Sequence, residues 1–347
     1  MSTYLDISFA KQLSYRLDRF KIKSEKPFKA NCRCPLCGDS QKKISKARFW
    51  FIESESGDGL LCHCFNCGAS LSFSKFLKIF DINLFDRYRL EKFRGAANSL
   101  ELIKKEETEE IVPEVPNVLL GLDTIDDLPK HHKARLYIEN RQIHEQFWSK
   151  LYYAPKFCEW ARGHEPELFK FSRRDHPRIV IPWFNVSGKC FAYSARSLNG
   201  EEPKYYKIKL NKKDNSFFGM ERLKFHKQIY VCEGPIDSLI IDNCIAVGNA
   251  NIGVYDNPDA IYIPDKDVRN IEVINMIGNL IDSGKKVFLA PHELNGKDLN
   301  EYIESGVSVK DLMSIIAENT FSGLAAKLRF ISWRKVVNDE KRYIRRG

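Results

Sequence analysis

Two cysteine pairs constrain this chain more than any other feature: Cys34-Pro35-Leu36-Cys37 and Cys64-Phe65-Asn66-Cys67, followed by Gly38 and Gly68 respectively. Each run is a knuckle, a tight turn that aims two sulfurs at one ion while glycine allows the positive φ the turn requires. Two knuckles supply four sulfur ligands and close a tetrahedral site, so the expected Zn²⁺ is structural, with no position left open for chemistry. The separation of the pairs slightly exceeds the usual ribbon spacing and leaves room for a strand hairpin between them. A redox C-x-x-C would need a thioredoxin-like setting and only one pair. Cys32, Cys62 and His63 flank the ligands, and any of them could replace one. Six of the ten cysteines fall between residues 32 and 67, and such crowding in a chain without secretory features points to metal rather than disulfides.

The 347 residues suit two domains, and the net charge of +9 is unevenly placed. Residues 1–50 alone carry a balance of +8, which marks the cysteine-rich end as the place where a polyanion, nucleic acid first, would bind. No apolar run approaches the roughly 18 to 20 residues of a membrane span, and the N-terminus lacks a signal-peptide core, so membrane and secretory classes are excluded. Between the knuckles Lys42, Lys43, Lys46 and Arg48 lead into Phe49-Trp50-Phe51-Ile52. Cations that hold a backbone beside aromatics that stack on bases are how single strands are bound. Phe49 and Phe51 share one strand face and could equally be ribbon core; Trp50, on the other face, and Arg48 are the better ligand candidates, with Lys46 beside them. Residues Ser70 to Arg94 have helical apolar spacing, and the charged, proline-containing stretch 100–116 reads as a linker.

From residue 228 short apolar strands alternate with helical segments. The expected strands are Ile229–Cys232, Ile245–Gly248, Ala260–Ile263 and Val287–Leu289, with helices over Pro235–Asn243, Ile271–Asp282 and from near Asp298. This is the pattern of a parallel sheet, whose ligands bind outside the carboxyl ends of its strands. The acids lie there: Glu233 after one strand, Asp265 and Asp267 after another, Asp298 a loop beyond a third. Converging carboxylates need a cation, and oxygen-only ligands favour Mg²⁺ or Mn²⁺, so the chemistry expected is metal-assisted phosphoryl transfer. Residues Gly278 to Lys286 have the wrong spacing for a phosphate-binding loop, which removes a fused helicase motor. Arg178, Arg196 and Lys204 sit on upstream β-like segments and would form a counter-charged wall.

These residues resemble one family, the bacteriophage DNA primases of the T-even type, and more distantly the bacterial DnaG-type primases. The motifs that carry the likeness are CPLCGDS (34–40), CHCFNCG (62–68), RIVIP (178–182), PKY (203–205), EGPIDS (233–238), DKD (265–267) and KDLNEYI (297–303). The resemblance implies an α/β fold class with an N-terminal zinc ribbon over 1–97, a linker over 98–118 and an RNA polymerase domain over 119–347. The core of that last domain, about 226–310, would be a Toprim fold with a parallel sheet. It further implies Glu233, Asp265 and Asp267 as catalytic and Mg²⁺-binding acids, Asp298 as a further ligand and Asp237 as the supporting acid. Arg178, Arg196 and Lys204 would hold nucleotide and template. The implied activity is DNA-templated synthesis of short RNA primers from ribonucleoside triphosphates, with single-stranded DNA as template. A replicative hexameric helicase and other replisome proteins would be partners, at the replication fork in the cytoplasm of a bacterial host. The competing reading is a non-enzymatic zinc-ribbon DNA-binding or helicase-loading factor, against which the intact acids stand.

Overall fold

The computed structural model describes residues 2–39, 45–54, 59–92, 117–169, 174–212, 214 and 216–335. Lys42, Lys43 and nearly all of the linker stretch lie outside them. The chain divides into two compact units, residues 1–120 with 182–194 and 207–227, and residues 121–181 with 195–206 and 228–347. A division in simple chain order was expected. By this grouping residues 182–194 and 207–227 fall with the N-terminal stretch.

The N-terminal part of the first unit is an antiparallel ribbon framed by helices. Helix α1 (Ser2–Gln12) leads to β1 (Lys21–Glu25), β2 (Phe28–Cys32), β3 (Phe49–Glu53), β4 (Leu60–Cys64) and β5 (Ser70–Ser72), which pair in that order. Strand β3 obeys the two-residue period of a half-buried strand: Phe49 and Phe51 are buried and Trp50 lies on the opposite face. Their rings meet Phe76 at 5.0 and 5.4 Å, so both phenylalanines are ribbon core. The single helix expected over 70–94 is instead β5, α2 (Phe73–Phe80) and α3 (Ile82–Lys92). Ser72 caps α2 by accepting from the Lys75 amide at 3.3 Å. Asp81 breaks the run by adopting an extended backbone, and its carboxylate accepts from the Leu84 amide at 3.0 Å to open α3. The carboxylate of Asp6, on α1, accepts from the Leu60 amide at 2.8 Å and from the Tyr88 hydroxyl at 2.7 Å, so one buried group joins α1, β4 and α3.

A second five-stranded sheet has the order β10-β9-β8-β7-β6, from β6 (Asp123–Thr124), β7 (Tyr152–Ala154), β8 (Arg178–Phe184), β9 (Cys190–Ser197) and β10 (Tyr205–Lys209). Helices α4 (Lys133–Glu139) and α5 (Phe157–Arg162) accompany it.

The third sheet, wholly in the second unit, holds the acids. Its strands are β11 (Tyr230–Cys232), β12 (Cys244–Ala246), β13 (Ile261–Tyr262), β14 (Lys286–Phe288) and β15 (Thr320–Phe321), in the order β12-β11-β13-β14-β15. The first four neighbours run parallel and β15 closes the edge antiparallel. The helices are α6 (Ile271–Asp282), α7 (Leu299–Glu304), α8 (Val309–Glu318) and α9 (Gly323–Trp333). Helix α6 has the bounds its spacing predicts, with Asn270 as its cap. The helix expected over Pro235–Asn243 is only a 3₁₀ turn over Asp237–Leu239. Here the Ser238 hydroxyl donates to the Pro235 carbonyl at 2.8 Å, and Asn243 turns left-handed to enter β12, which stops propagation. Among the described residues no helix is long and apolar enough to cross a membrane.

Candidate metal centres and active site

The knuckles fold alike. The Gly38 amide donates to the Cys34 carbonyl and the Gly68 amide to the Cys64 carbonyl, each at 2.9 Å, with glycine φ values of +69° and +72°. Four buried sulfurs, of Cys34, Cys37, Cys64 and Cys67, lie within 4.8 Å of one another. Those of Cys37 and Cys64 are 4.0 Å apart, close to the edge of about 3.8 Å that a tetrahedron of zinc–sulfur bonds would have. Cys32 and Cys62 are instead ribbon core, opposite Phe49 and Phe51 on neighbouring strands. The cage pulls the Cys64 thiol far below its ordinary value, because the other three thiols direct hydrogen bonds to it. Burial pushes Cys34 well up. Four buried sulfurs at tetrahedral spacing fit structural Zn²⁺.

The single-strand candidates separate on inspection. Arg48 has a structural role: its amide and Nε donate to the two oxygens of Asp39 at 2.7 and 2.6 Å, fixing the fully buried carboxylate that follows the first knuckle. Its side chain is still 29% exposed. Lys46 is exposed and Trp50 half-buried on the outer face. Trp50 lies directly opposite His63, whose ring meets that of Phe65 at 4.6 Å, and Phe65 is 64% exposed. His63, on β4, and Phe65, in the knuckle turn just after it, form an aromatic pair that the sequence pattern does not mark, because the turn breaks the strand period.

Glu233 and Asp265 follow the carboxyl ends of β11 and β13, and Asp298 stands at the start of α7, beyond the loop that leaves β14; each is half-buried. Desolvation first, then the charge of Asp298, holds Glu233 above the ordinary carboxylate range. Asp265 is pushed up to about 7 by desolvation, then by Glu233 and Asp298. Asp237 is pushed up to about 8 by desolvation, then by Asp298 and Asp265, although Asn300 donates to it from its amide at 3.1 Å and from its side chain. Gly234 is required here, since a Cβ on it would lie 2.2 Å from the Asp237 carboxylate. Asp298 also caps α7, accepting from the Glu301 amide at 2.8 Å. Asp267 is exposed and accepts from the Asn270 amide at 3.2 Å.

Two exposed lysines offset this charge, Lys204 and Lys297, both of which act on Glu233 and Asp265. Lys297 is a site residue that the sequence reading quoted within a motif without assigning it a role, as is Asn300. Arg196 packs on the rings of Tyr205 and Tyr137 at 4.9 and 5.6 Å. Arg178 does not stand on the wall expected of it. It is fully buried, donating to the Ala195 carbonyl at 2.9 Å and to His176 Nδ1 at 3.2 Å under the Tyr206 ring, so it braces the sheet.

Among the described residues the carboxylates do not close into a three-ligand cluster as the sulfurs do. Hard oxygens held this way suit Mg²⁺, which keeps several waters and takes few protein ligands. Cys158, Asp175 and His176 are near enough for a metal. However, the Arg178 bond makes His176 Nδ1 an acceptor, so Nε2 carries the proton of the neutral ring and has no lone pair for an ion.

The raised carboxyls set a pH dependence with a definite sign. The folded chain binds protons that the unfolded chain loses near pH 4, so the stability these groups contribute is full below that pH and is lost as pH rises to 7–8. Without added Mg²⁺ the melting temperature should therefore fall from pH 5 to pH 8, and Asp237→Asn should flatten the fall. Thermal melts of both proteins across that range check it; equal slopes would sink the assignment.

No family model matches the chain. It is 29% identical over 345 residues to the DNA primase of Enterobacteria phage T4, covering 96% of this chain and 98% of that protein. It is 29% identical over 186 residues to the DNA primase of Thermotoga maritima, covering 47% of this chain and 32% of that one. The crystal structure of the zinc-binding and RNA polymerase domains of the Aquifex aeolicus primase covers 99% of this chain, and the alignment spans 95% of that chain, at 20% identity and a TM-score of 0.44.

Proposed function

We infer that the chain is a DNA primase, a DNA-directed RNA polymerase that makes short RNA primers. The observation that carries this is a group of acids outside the carboxyl ends of adjacent parallel strands, two directly after β11 and β13 and one on the loop that leaves β14, in a chain whose likeness to the phage T4 primase is full-length. The reaction is nucleotidyl transfer: the 3′-hydroxyl of one ribonucleotide attacks the α-phosphorus of the next in line, and pyrophosphate leaves. Mg²⁺, when bound, neutralises phosphate charge and lowers the pKa of the attacking hydroxyl. Glu233, Asp265 and Asp298 would hold it, with Asp267 adding an oxygen from the solvent side. Lys204 and Lys297 would hold the triphosphate, and Arg196, fixed by two tyrosines, the template or nucleotide. Asp237, oriented by Asn300, would support the metal ligands from behind.

The zinc module would take single-stranded DNA on the Trp50, His63 and Phe65 face, with Lys46 and neighbouring cations on the phosphates. By this reading the protein works with a hexameric helicase and other replisome proteins at the fork, in the cytoplasm of a bacterial host.

One assay tests the proposal. Purified protein, single-stranded DNA, four ribonucleotides and Mg²⁺ should yield short RNA. Single-strand affinity should fall about a hundredfold from 50 to 200 mM salt if about five phosphates are neutralised. Salt-sensitive binding without any RNA product would favour a non-enzymatic loading factor instead.

A further inference from the structure

The loop between β14 and α7, Pro291-His292-Glu293-Leu294-Asn295-Gly296-Lys297, delivers Lys297 and Asp298 to the acid centre. The Leu294 amide closes a turn on the Pro291 carbonyl at 3.2 Å, and the Lys297 amide donates to Glu301 at 3.0 Å. Gly296, at φ +105°, lets the chain pass where a Cβ would lie 2.8 Å from the Glu301 Cβ. All of these bonds are internal to the loop and its helix, and none joins the loop to the neighbouring strand.

Lys266 supplies that join. It stands between Asp265 and Asp267, just past β13, and its Nζ donates to the Leu294 carbonyl and, at 3.5 Å, to the Pro291 carbonyl. Its backbone amide donates to the Lys297 carbonyl at 2.6 Å. The Tyr302 ring lies 6.0 Å from Nζ, and the Tyr302 hydroxyl donates to the same Lys297 carbonyl at 3.4 Å. One lysine thus spans both ends of the loop from the residue next to Asp265. Carbonyl oxygens take an ammonium well, because three N–H donors can be shared among several acceptors without strict planarity.

We propose that Lys266 is a positioning residue, which staples the 291–297 loop to the end of β13 and thereby fixes Lys297 and Asp298 relative to Asp265 and Glu233. This rests on reading the acids as a divalent-metal centre. Removing the staple leaves every metal ligand in the chain and changes only how well they are held together. Groups that orient metal ligands in this manner typically change metal affinity by roughly tenfold to a hundredfold.

The test measures Mn²⁺ binding to the full, zinc-loaded chain by the paramagnetic resonance signal of the free ion, with dinucleotide synthesis read in parallel. Lys266→Met should weaken Mn²⁺ binding about tenfold, while zinc content, single-strand affinity and melting behaviour stay near wild type. Lys266→Arg, which can still donate to both carbonyls, should recover most of the loss. Adding Lys266→Met to Asp298→Asn should cost little beyond Asp298→Asn alone, since both act through one ligand. Unchanged Mn²⁺ affinity in Lys266→Met overturns the proposal, as does a full multiplicative penalty in the double variant. Wild-type protein that binds no Mn²⁺ would instead overturn the metal-centre reading on which the proposal stands.

Discussion

Replacing Asp265 by alanine or Glu233 by glutamine should abolish dinucleotide formation, by a factor of about a thousand or more, while the protein stays folded. That factor corresponds to about 4 kcal/mol of transition-state stabilisation. The expectation follows from where the two groups stand. They lie at adjacent strand ends, half-buried; desolvation raises both, helped by Asp298 at Glu233 and by Glu233 and Asp298 at Asp265. Neither fills a core, so truncation leaves no cavity, and it removes a repulsion that the sheet otherwise bears. Both variants should keep their zinc and still bind single-stranded DNA. Initiation assays on a defined template, with zinc analysis and thermal melts alongside, check this. Dinucleotide synthesis near the wild-type rate in both would remove the acids from the reaction.

An equally large effect, on folding rather than on rate, is expected at the cysteine cage. Cys37→Ser and Cys64→Ser should each release the metal and unfold the ribbon. Binding of a structural zinc is worth about 10 kcal/mol or more in small zinc modules, against about 5 to 15 kcal/mol for the whole stability of a typical domain. The contrast lies in the neighbouring thiols. Cys32→Ala and Cys62→Ala should keep the zinc, because both side chains are packed in the ribbon core and neither belongs to the four-sulfur cluster. Metal analysis of the four variants, with limited proteolysis across residues 21–72, reads the difference. Full zinc content in Cys37→Ser or Cys64→Ser would show that the ligand set is wrong.

The parts of the molecule legible in the sequence were those written in short-range chemistry. Knuckle glycines, the alternation in β3 and the acids directly after apolar strands each express a local rule, and the cage cysteines and the span of α6 follow from such rules. Long-range pairings were not legible. Arg48 looks like a free cation until Asp39 is seen to accept from its amide and its Nε, and Arg178 looks like a wall residue until β9 covers it. The run after Gly234 has helical composition, yet the Ser238 bond to Pro235 and the left-handed Asn243 leave only a 3₁₀ turn, whose Asp237 is bonded to Asn300 63 residues away. Lys297 escaped notice because its role depends on a loop whose course is set from another strand. In each case the deciding partner lies outside the local run being read, and no periodicity records it.

Asp6 carries a consequence for the order in which the protein is made. Its two oxygens are engaged by Leu60 and by Tyr88, the latter 82 residues further along the chain. On the ribosome the first helix emerges long before either partner exists. The four zinc ligands are all synthesised by residue 67, so the cage can close while the Tyr88 hydroxyl is still to come. Metal capture and docking of the N-terminal helix are therefore separable events in biosynthesis, with the ribbon able to form first and the helix completing its bonds only after α3 has left the exit tunnel.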